Sequence, residues 1–339
     1  MIAKRLVFIL CACSAASWAD SNAAVNGPVA GYVFDSQARV VRPMVGIPGA
    51  AYMSSPVVSN VDIASVAPEG SAALATRGGQ LLLFTGLGTA TPASIHVTGS
   101  IAAPDRFAWA AGGSSAAIYS SQSRQAQILT GLQQTPAAAA PIDLSSLSGK
   151  ITAMAFDGRQ ILIGLSSAGA GGIYSVTAQG APKRLASSDS PSAIALAGAD
   201  LYFSDNQSQQ IWHVQNYGTQ AAAMLFAADS NIATPVGLQV STDSRRLYVA
   251  NADNRNLTAY DLASRTPVES LSLDFAPAQL DRFGTSSVLL LNTSSQGKGP
   301  LHILSDGTGK LAVYFVPAPA ANAPRHPIRY HPATQPGSR

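Results

Sequence analysis

The chain has 339 residues, of which 47% are apolar and 12% are charged, with 29 Gly and 21 Pro. The apolar fraction is large enough for a substantial core, and the modest Gly and Pro content excludes a collagen-like or low-complexity chain. The net charge of +3 comes from the two ends, because residues 20–316 carry −2. Nucleic-acid binding needs a basic folded surface, so no nucleic-acid partner is expected.

The first nineteen residues have the pattern of a signal peptide. Lys4 and Arg5 precede an apolar stretch of about eleven residues, and Ser17 and Ala19 supply small residues before a cut at Asp20. The chain is therefore predicted to be exported, and to be periplasmic or secreted. As an alternative, residues 10–13 (Leu-Cys-Ala-Cys) resemble a bacterial lipobox, which would make the chain a lipoprotein anchored through Cys13.

The positions of the two cysteines limit the chemistry that the chain could perform after cleavage of the leader. Cys11 and Cys13 are the two cysteines of the chain, and both lie inside the predicted leader. Cleavage after Ala19 would leave no thiol, which excludes disulfides, thiolate metal sites and a cysteine nucleophile. No later stretch approaches 18 uninterrupted apolar residues, so no transmembrane segment is predicted.

A strand-like apolar segment recurs along the chain at intervals of 44, 45, 40, 46 and 41 residues. Its copies are Ala72–Thr76, Ala116–Ser120, Ile161–Leu165, Leu201–Asp205, Leu247–Asn251 and Val288–Asn292. Each period divides into four short alternating strands, named A to D in chain order. Four strands in 40–45 residues are typical of a propeller blade. The sequence therefore predicts an all-β fold, a β-propeller of four-stranded antiparallel blades.

Six blades can be counted directly, at 57–99, 100–148, 149–188, 189–233, 234–276 and 277–317. Residues 29–46 either form a C–D hairpin or hold the B strand of a first blade that begins near Asn26. The 41-residue interval from Gly31 to Ala72 favours the B strand, and therefore seven blades; six blades plus an N-terminal hairpin is the alternative. The propeller is expected to span 20–316. Residues 317–339 are rich in Pro and Ala and are predicted to be a disordered tail.

The segment from Arg245 to Ser264, with its Leu-Tyr-Val-Ala-Asn-Ala-Asp-Asn core, resembles the repeat of YVTN-type bacterial β-propellers. Residues 189–233, with Ile211-Trp-His-Val, fit the same repeat and are also similar to the NHL type. The resemblance implies a seven-bladed ring and an exported or surface protein. It implies no catalytic residues, because the repeat consists of turn and strand residues.

No motif for a reaction is found. The five histidines are His96, His213, His302, His326 and His331, and none belongs to an HExxH, a CxxC pair or an EF-hand loop. No metal site and no cofactor are therefore predicted. A GxSxG elbow is also absent. Most aspartates stand in turns, where Asp accepts hydrogen bonds from its own backbone.

The polar loops between the B and C strands are the best candidates for a site, because in a propeller they share one face with the D–A connections. The candidate binding residues are Arg77, Arg124, Asp205, Asn206, Asn251, Asp253, Arg255, Asn292 and Lys298. We interpret the chain as an exported non-catalytic propeller, expected to be a monomer, that binds a protein, peptide or glycan partner through this face.

Three other functions stay open. The main alternative is a periplasmic hydrolase, lyase or lactonase with its site at the channel mouth. A quinone-dependent dehydrogenase is less favoured, because the chain has three Trp residues and no regularly spaced Trp motif. A structural module tethered by residues 317–339 is the fourth reading.

Overall fold

The computed structural model describes residues 27–284, 287–291, 300–307 and 310–318. These residues form 29 β-strands in seven antiparallel sheets, and they contain no helix. None of the described residues therefore belongs to a helix that could cross a membrane. The predicted leader and the predicted tail beyond Ala318 lie outside the described residues.

Each sheet is built from consecutive strands, as follows. Blade 1 comprises β1 (Val29–Asp35), β2 (Val40–Val45), β3 (Tyr52–Met53) and β4 (Val58–Ser59). Blade 2 comprises β5 (Ile63–Val66), β6 (Ala72–Arg77), β7 (Gln80–Thr85) and β8 (Ala93–His96). Blade 3 comprises β9 (Arg106–Trp109), β10 (Ala116–Ser120), β11 (Gln125–Thr130), β12 (Ala137–Ala138) and β13 (Ile142–Asp143). Blade 4 comprises β14 (Lys150–Phe156), β15 (Ile161–Ser166), β16 (Gly172–Val176) and β17 (Lys183–Ser187).

Blade 5 comprises β18 (Pro191–Ala197), β19 (Asp200–Asp205), β20 (Gln210–Gln215) and β21 (Ala222–Ala227). Blade 6 comprises β22 (Pro235–Val240), β23 (Arg246–Asn251), β24 (Asn256–Asp261) and β25 (Pro267–Ser272). Blade 7 comprises β26 (Asp281–Arg282), β27 (Val288–Leu290), β28 (Leu301–Ser305) and β29 (Ala312–Val316).

The core lies between the blades. The described residues form seven hydrophobic clusters, and each cluster joins two neighbouring sheets. One of them packs Phe283 and Ile303 of blade 7 against Val33 and Met44 of blade 1, which closes the ring by side-chain packing. The chain is thus a seven-bladed β-propeller, and the prediction of seven blades is confirmed.

The B strands read as continuous apolar runs because both of their faces are covered by neighbouring blades. Residues Ala72–Thr76 of β6 and Ile161–Leu165 of β15 are buried throughout. The A strands line the axis, where the A strands of successive blades contact one another from β9 to β26. Their residues alternate between buried and partly exposed, as β18 shows.

Three A strands contain the same irregularity near their first residue. The register with the B strand shifts between Ile151 and Ala153, between Pro191 and Ala193, and between Pro235 and Gly237. A β-bulge bends a strand and aims its extra residue away from the ladder. In β14 and β18 the extra residues, Thr152 and Ser192, hydrogen-bond across to carbonyls of the next blade.

Among the described residues, blade 1 has three strand positions, whereas each of the other blades has four. β3 and β4 both pair with β2, as β12 and β13 both pair with the C strand of blade 3. The residue that precedes β2, Arg39, accepts a backbone hydrogen bond from the following D–A connection, as Arg124 and Arg255 do before their C strands. β1 and β2 therefore occupy the B and C positions, which confirms the B-strand interpretation of residues 29–35.

Candidate functional site

The B–C turns of blades 1, 3, 5 and 6 share one construction. Each of these four places a polar residue at the end of the B strand and, four positions later, a residue with positive φ that restarts the chain as strand C. Arg124, Gln209 and Arg255 have φ angles of 53°, 53° and 47° in this role. The equivalent turn of blade 1 has Arg39 at 56°. These turns therefore project from one end of the ring in a similar, fixed shape.

Two predicted site residues belong to the hydrogen-bonded frame of these turns, which consists of the buried polar residues at the ends of the B strands. Asp205 and Asn251 are 5% and 0% exposed, because they are the last residues of β19 and β23 and not part of the exposed turn. Asp205 Oδ1 accepts hydrogen bonds from the backbone N–H groups of Gln207 and Ser208 at 2.8 and 2.9 Å. Asn251 accepts one from the Ala233 N–H. Both side chains are buried and stabilise the turns.

The ionised form of Asp205 is favoured inside this frame. Burial raises the pKa of Asp205, but hydrogen bonds from the Ser188 hydroxyl and from backbone N–H groups outweigh that effect, so the pKa lies below its ordinary value. The neighbouring Asn206 is half-buried, and its Oδ1 lies 2.8 Å from Ser192 Oγ. Asn206 thus links the turn of blade 5 to the bulge of its A strand.

Two predicted arginines hold the loops that pass beside them. The guanidinium of Arg77 donates to the Asn60 and Ser59 carbonyls, both at 2.9 Å, and thereby fastens the connection between blades 1 and 2. Arg124 donates to the Leu147 carbonyl in the connection between blades 3 and 4. Arg77 keeps an exposed surface. These arginines fix the D–A connections on the same face as the B–C turns.

The turn of blade 6 carries the exposed tips. Asp253, Asn254 and Arg255 are exposed. Asp253 accepts a hydrogen bond from the Thr234 hydroxyl, and Asn254 donates to the Ser230 carbonyl at 2.9 Å. The guanidinium of Arg255 makes no hydrogen bond to any described residue. Asn292 and Lys298, the remaining predicted site residues, lie outside the described residues.

A second candidate feature is a cavity of about 680 Å³ on the ring axis. Its wall is formed by the A strands and by the middle of β1, and it reaches the A–B turns at Pro68 and Ala111. Six aromatic side chains lie on the wall: Tyr32, Phe34, Phe107, Trp109, Phe156 and Phe283. Trp109 Nε1 donates to Ser65 Oγ at 3.1 Å, which joins blades 2 and 3 at the wall.

The cavity also contains charged groups that sequence reasoning missed. Glu69, Asp281 and Arg282 lie on its wall. Burial within the ring raises the pKa of Asp281 to about 6, although its side chain is open to the hollow of the channel. Arg282 donates to the Val240 carbonyl at 2.7 Å, and burial lowers its pKa. The sequence signal that could have found them is the adjacent acid and base, Asp281 and Arg282, that form the short A strand β26.

The described histidines lie apart from one another. His96 is exposed on β8, and His302 on β28 stacks on Phe275 with a centroid distance of 3.7 Å. His213 is 6% exposed, stacks on Tyr202 at 4.5 Å and has its Nε2 3.1 Å from an Asp200 oxygen. Among the described residues, no three His, Cys, Asp or Glu side chains converge as metal ligands would. His326 and His331 lie outside the described residues.

Solved structures of similar fold are found at low sequence identity. A functionally unknown protein from Desulfotomaculum acetoxidans has a TM-score of 0.58 at 14% identity, over 85% of this chain and 100% of that chain. A presumed 6-phosphogluconolactonase from Bacteroides fragilis has a TM-score of 0.59 at 12% identity, over 86% and 95%. At these identities the likeness shows the fold alone. No protein-family model and no curated protein sequence matches the chain.

Proposed function

We propose that this chain is an exported, non-catalytic β-propeller that binds a protein, peptide or glycan partner through the face formed by its B–C turns and D–A connections. One observation carries the proposal. Hydrogen bonds hold the B–C turns in a fixed shape, and exposed polar side chains stand at the tips of these turns. Rigid scaffolds that present loop residues are a common basis for recognition. A pre-formed face also loses less conformational entropy when it binds.

The turn of blade 6 is the favoured centre of this face. Asp253 and Arg255 place opposite charges two residues apart, and the hydrogen bonds of Asp253 and Asn254 hold the turn against residues 230–234. The guanidinium of Arg255 makes no hydrogen bond within the described part of the chain, so its donors can serve a partner. Arginine donors suit carboxylates and carbonyl groups, which peptides and acidic glycans both offer.

Export is part of the same proposal. The leader pattern in residues 1–19 supports it. N-terminal sequencing of the chain from a bacterial envelope fraction should give Asp20 as the first residue. Retention of Met1 would contradict cleavage, and a lipid-modified Cys13 would support the lipoprotein alternative.

The binding proposal is tested by photo-crosslinking in the native envelope. A photoreactive residue at Arg255 should capture a partner, and the same residue at Arg159 should not, because Arg159 is an exposed A–B turn residue on the opposite face. The combined substitution Asp253→Ala and Arg255→Ala should then weaken binding of the captured partner at least tenfold. Equal capture from both positions, or unchanged binding, would contradict the proposal.

The axial cavity favours a second candidate, a hydrolase, lyase or lactonase that acts at the channel mouth. Glu69 and Asp281 place two carboxyl groups on the cavity wall, and a carboxyl with a raised pKa suits general acid–base catalysis. The lactonase name of one neighbour of similar fold is compatible with this reading. Turnover of a lactone panel that is lost in Asp281→Asn and kept in Asp253→Asn would establish it.

A further inference from the structure

The axial cavity is a candidate ligand site that is separate from the face of the B–C turns. It reaches the end of the ring that carries the A–B turns, at Pro68 and Ala111, whereas the B–C turns stand at the other end. Its volume of about 680 Å³ lies within the range of small-molecule sites, which is roughly 300–1,000 Å³. The chemistry of its wall therefore indicates which ligand would fit.

Two pairs of aromatic side chains turn partly exposed surface to this cavity. Tyr32 and Phe34 stand on either side of a buried residue in β1. Phe107 and Trp109 do the same in β9, and the indole is fixed by its hydrogen bond to Ser65. Residues two apart on a strand share one face, so each pair forms a continuous aromatic surface. Such surfaces attract cations, and indole does so most strongly.

Asp281 is a carboxyl group on the same wall that has no partner among the described residues. It accepts no hydrogen bond from them and forms no ion pair with them. The guanidinium of its neighbour, Arg282, donates instead to the Val240 carbonyl at 2.7 Å. Burial raises the pKa of Asp281 to about 6, and no described cation opposes that effect. Because an enclosed carboxylate is costly without a positive partner, this group favours a cation in the cavity.

A second carboxyl group stands nearer the end of the cavity. Glu69 is exposed in the A–B turn of blade 2, and a Cβ on the next residue, Gly70, would lie 3.4 Å from the ring of Tyr32. Asp281 belongs to β26, which precedes the A–B turn of blade 7, and therefore lies deeper in the ring. The charged side chains on the described wall are these two acids and Arg282, so the wall is acidic on balance.

We propose that the axial cavity binds a small organic cation, an amine with an apolar or aromatic body, whose ammonium group pairs with Asp281 and whose body lies against the aromatic pairs. The ammonium gains both a charge-assisted hydrogen bond and the attraction of the aromatic faces. An anionic ligand is disfavoured, because the wall is acidic and Arg282 is already bound to blade 6. The proposal concerns binding alone, and it holds whether or not the B–C face binds a partner.

Titration with phenethylamine tests the proposal. In residues 20–339 with Trp212→Phe, Trp109 is the one remaining tryptophan, and its fluorescence should change saturably as phenethylamine is added. The neutral analogue 2-phenylethanol should bind at least tenfold more weakly, and the anionic 3-phenylpropanoate should not bind. No saturable change with phenethylamine, or equal affinities for the amine and the alcohol, would overturn the proposal.

Substitution of the carboxyl group assigns the binding to this cavity. Asp281→Asn keeps the size of the side chain and removes its charge, so it should weaken phenethylamine binding at least tenfold in calorimetry. Asp243→Asn is the matched control, because Asp243 is an exposed A–B turn residue that does not lie on the cavity wall, and it should leave the affinity unchanged. Equal losses in both variants, or no loss in Asp281→Asn, would overturn the proposal. If Asp281→Asn does not fold, the comparison of amine and alcohol with Asp281 intact decides.

Discussion

A close backbone approach between blades 6 and 7 makes Gly237 a sharp test of the packing. A Cβ at Gly237 would lie 2.5 Å from both the Cβ and the backbone N of Leu280, and 3.0 Å from the Gln279 carbonyl carbon. Carbon atoms in contact are about 3.5–4.0 Å apart. Gly237→Ala therefore demands a shift of about 1 Å between two A strands, because backbone cannot rotate away as a flexible side chain can.

Overpacking of a core costs about 1–3 kcal/mol, while replacing Gly by Ala lowers the entropy of the unfolded chain and returns about 0.4–1 kcal/mol. Because the obstacle is backbone, we expect a net loss of about 2 kcal/mol or more for Gly237→Ala. Gly112→Ala is the matched control, since no atom lies within 4 Å of the added Cβ and φ is not positive. It should be neutral or stabilise by up to about 1 kcal/mol.

Urea unfolding followed by the fluorescence of Trp109 and Trp212 measures both variants. A fall in the free energy of unfolding for Gly237→Ala, beside an unchanged or raised value for Gly112→Ala, would support the inter-blade geometry. If the two variants agree within about 0.5 kcal/mol, the A strands of blades 6 and 7 do not approach as described, and the reasoning fails.

Two buried polar groups lead to further predictions. Asp205→Asn should cost about 1–3 kcal/mol at pH 7. Because the pKa of Asp205 is lowered in the fold, its contribution to stability is present above the unfolded pKa and is lost as the pH falls through the folded value. The urea midpoints of variant and wild type should therefore converge at acid pH. Gln127→Leu should cost about 2–4 kcal/mol, because it removes the hydrogen-bond partner of the Gly99 and Ala139 carbonyls and of the Ile101 N–H. The matched change at the exposed Gln133, Gln133→Leu, should change thermal stability by less than about 0.5 kcal/mol.

The strands that sequence patterns predict best are the B strands. The segments beginning at Ala72, Ala116, Ile161 and Val288 start at the residues where the structure begins β6, β10, β15 and β27. Both faces of a B strand are covered by neighbouring blades, so selection for apolar residues acts at every position and leaves a continuous run. The seven-blade count followed from the spacing of these runs.

The site residues were harder to predict because turn chemistry looks alike whether it is buried or exposed. Asp205 and Asp253 both stand near Asn in a polar B–C segment, yet the first ends a buried strand and the second is exposed. Asp281 escaped notice for another reason. Its position on the channel wall depends on the closure of the whole ring, which no local pattern encodes.

The strand positions of blade 1 were also harder to predict from the sequence. Residues 29–35 alternate as an A strand does, with Val33 and Asp35 buried between partly exposed neighbours. Their B position follows from contacts at the two ends of β2, such as the Gly46 N–H donating to the Pro28 carbonyl. The equivalent bond in blade 2 joins Gly86 to Ser71, the residues that flank its C and B strands. The 41-residue spacing favoured the B strand over a C–D hairpin, and these hydrogen bonds confirm the B position.

A crystal structure of residues 20–339 tests the central claim most directly. The account predicts seven sheets around one axis, with Phe283 of blade 7 packed on Gly31 of blade 1, and with the B–C turns and D–A connections together at one end. An open arc with solvent between blades 1 and 7, or turns such as Arg77–Gln80 and Ala252–Arg255 at opposite ends of the ring, would contradict it.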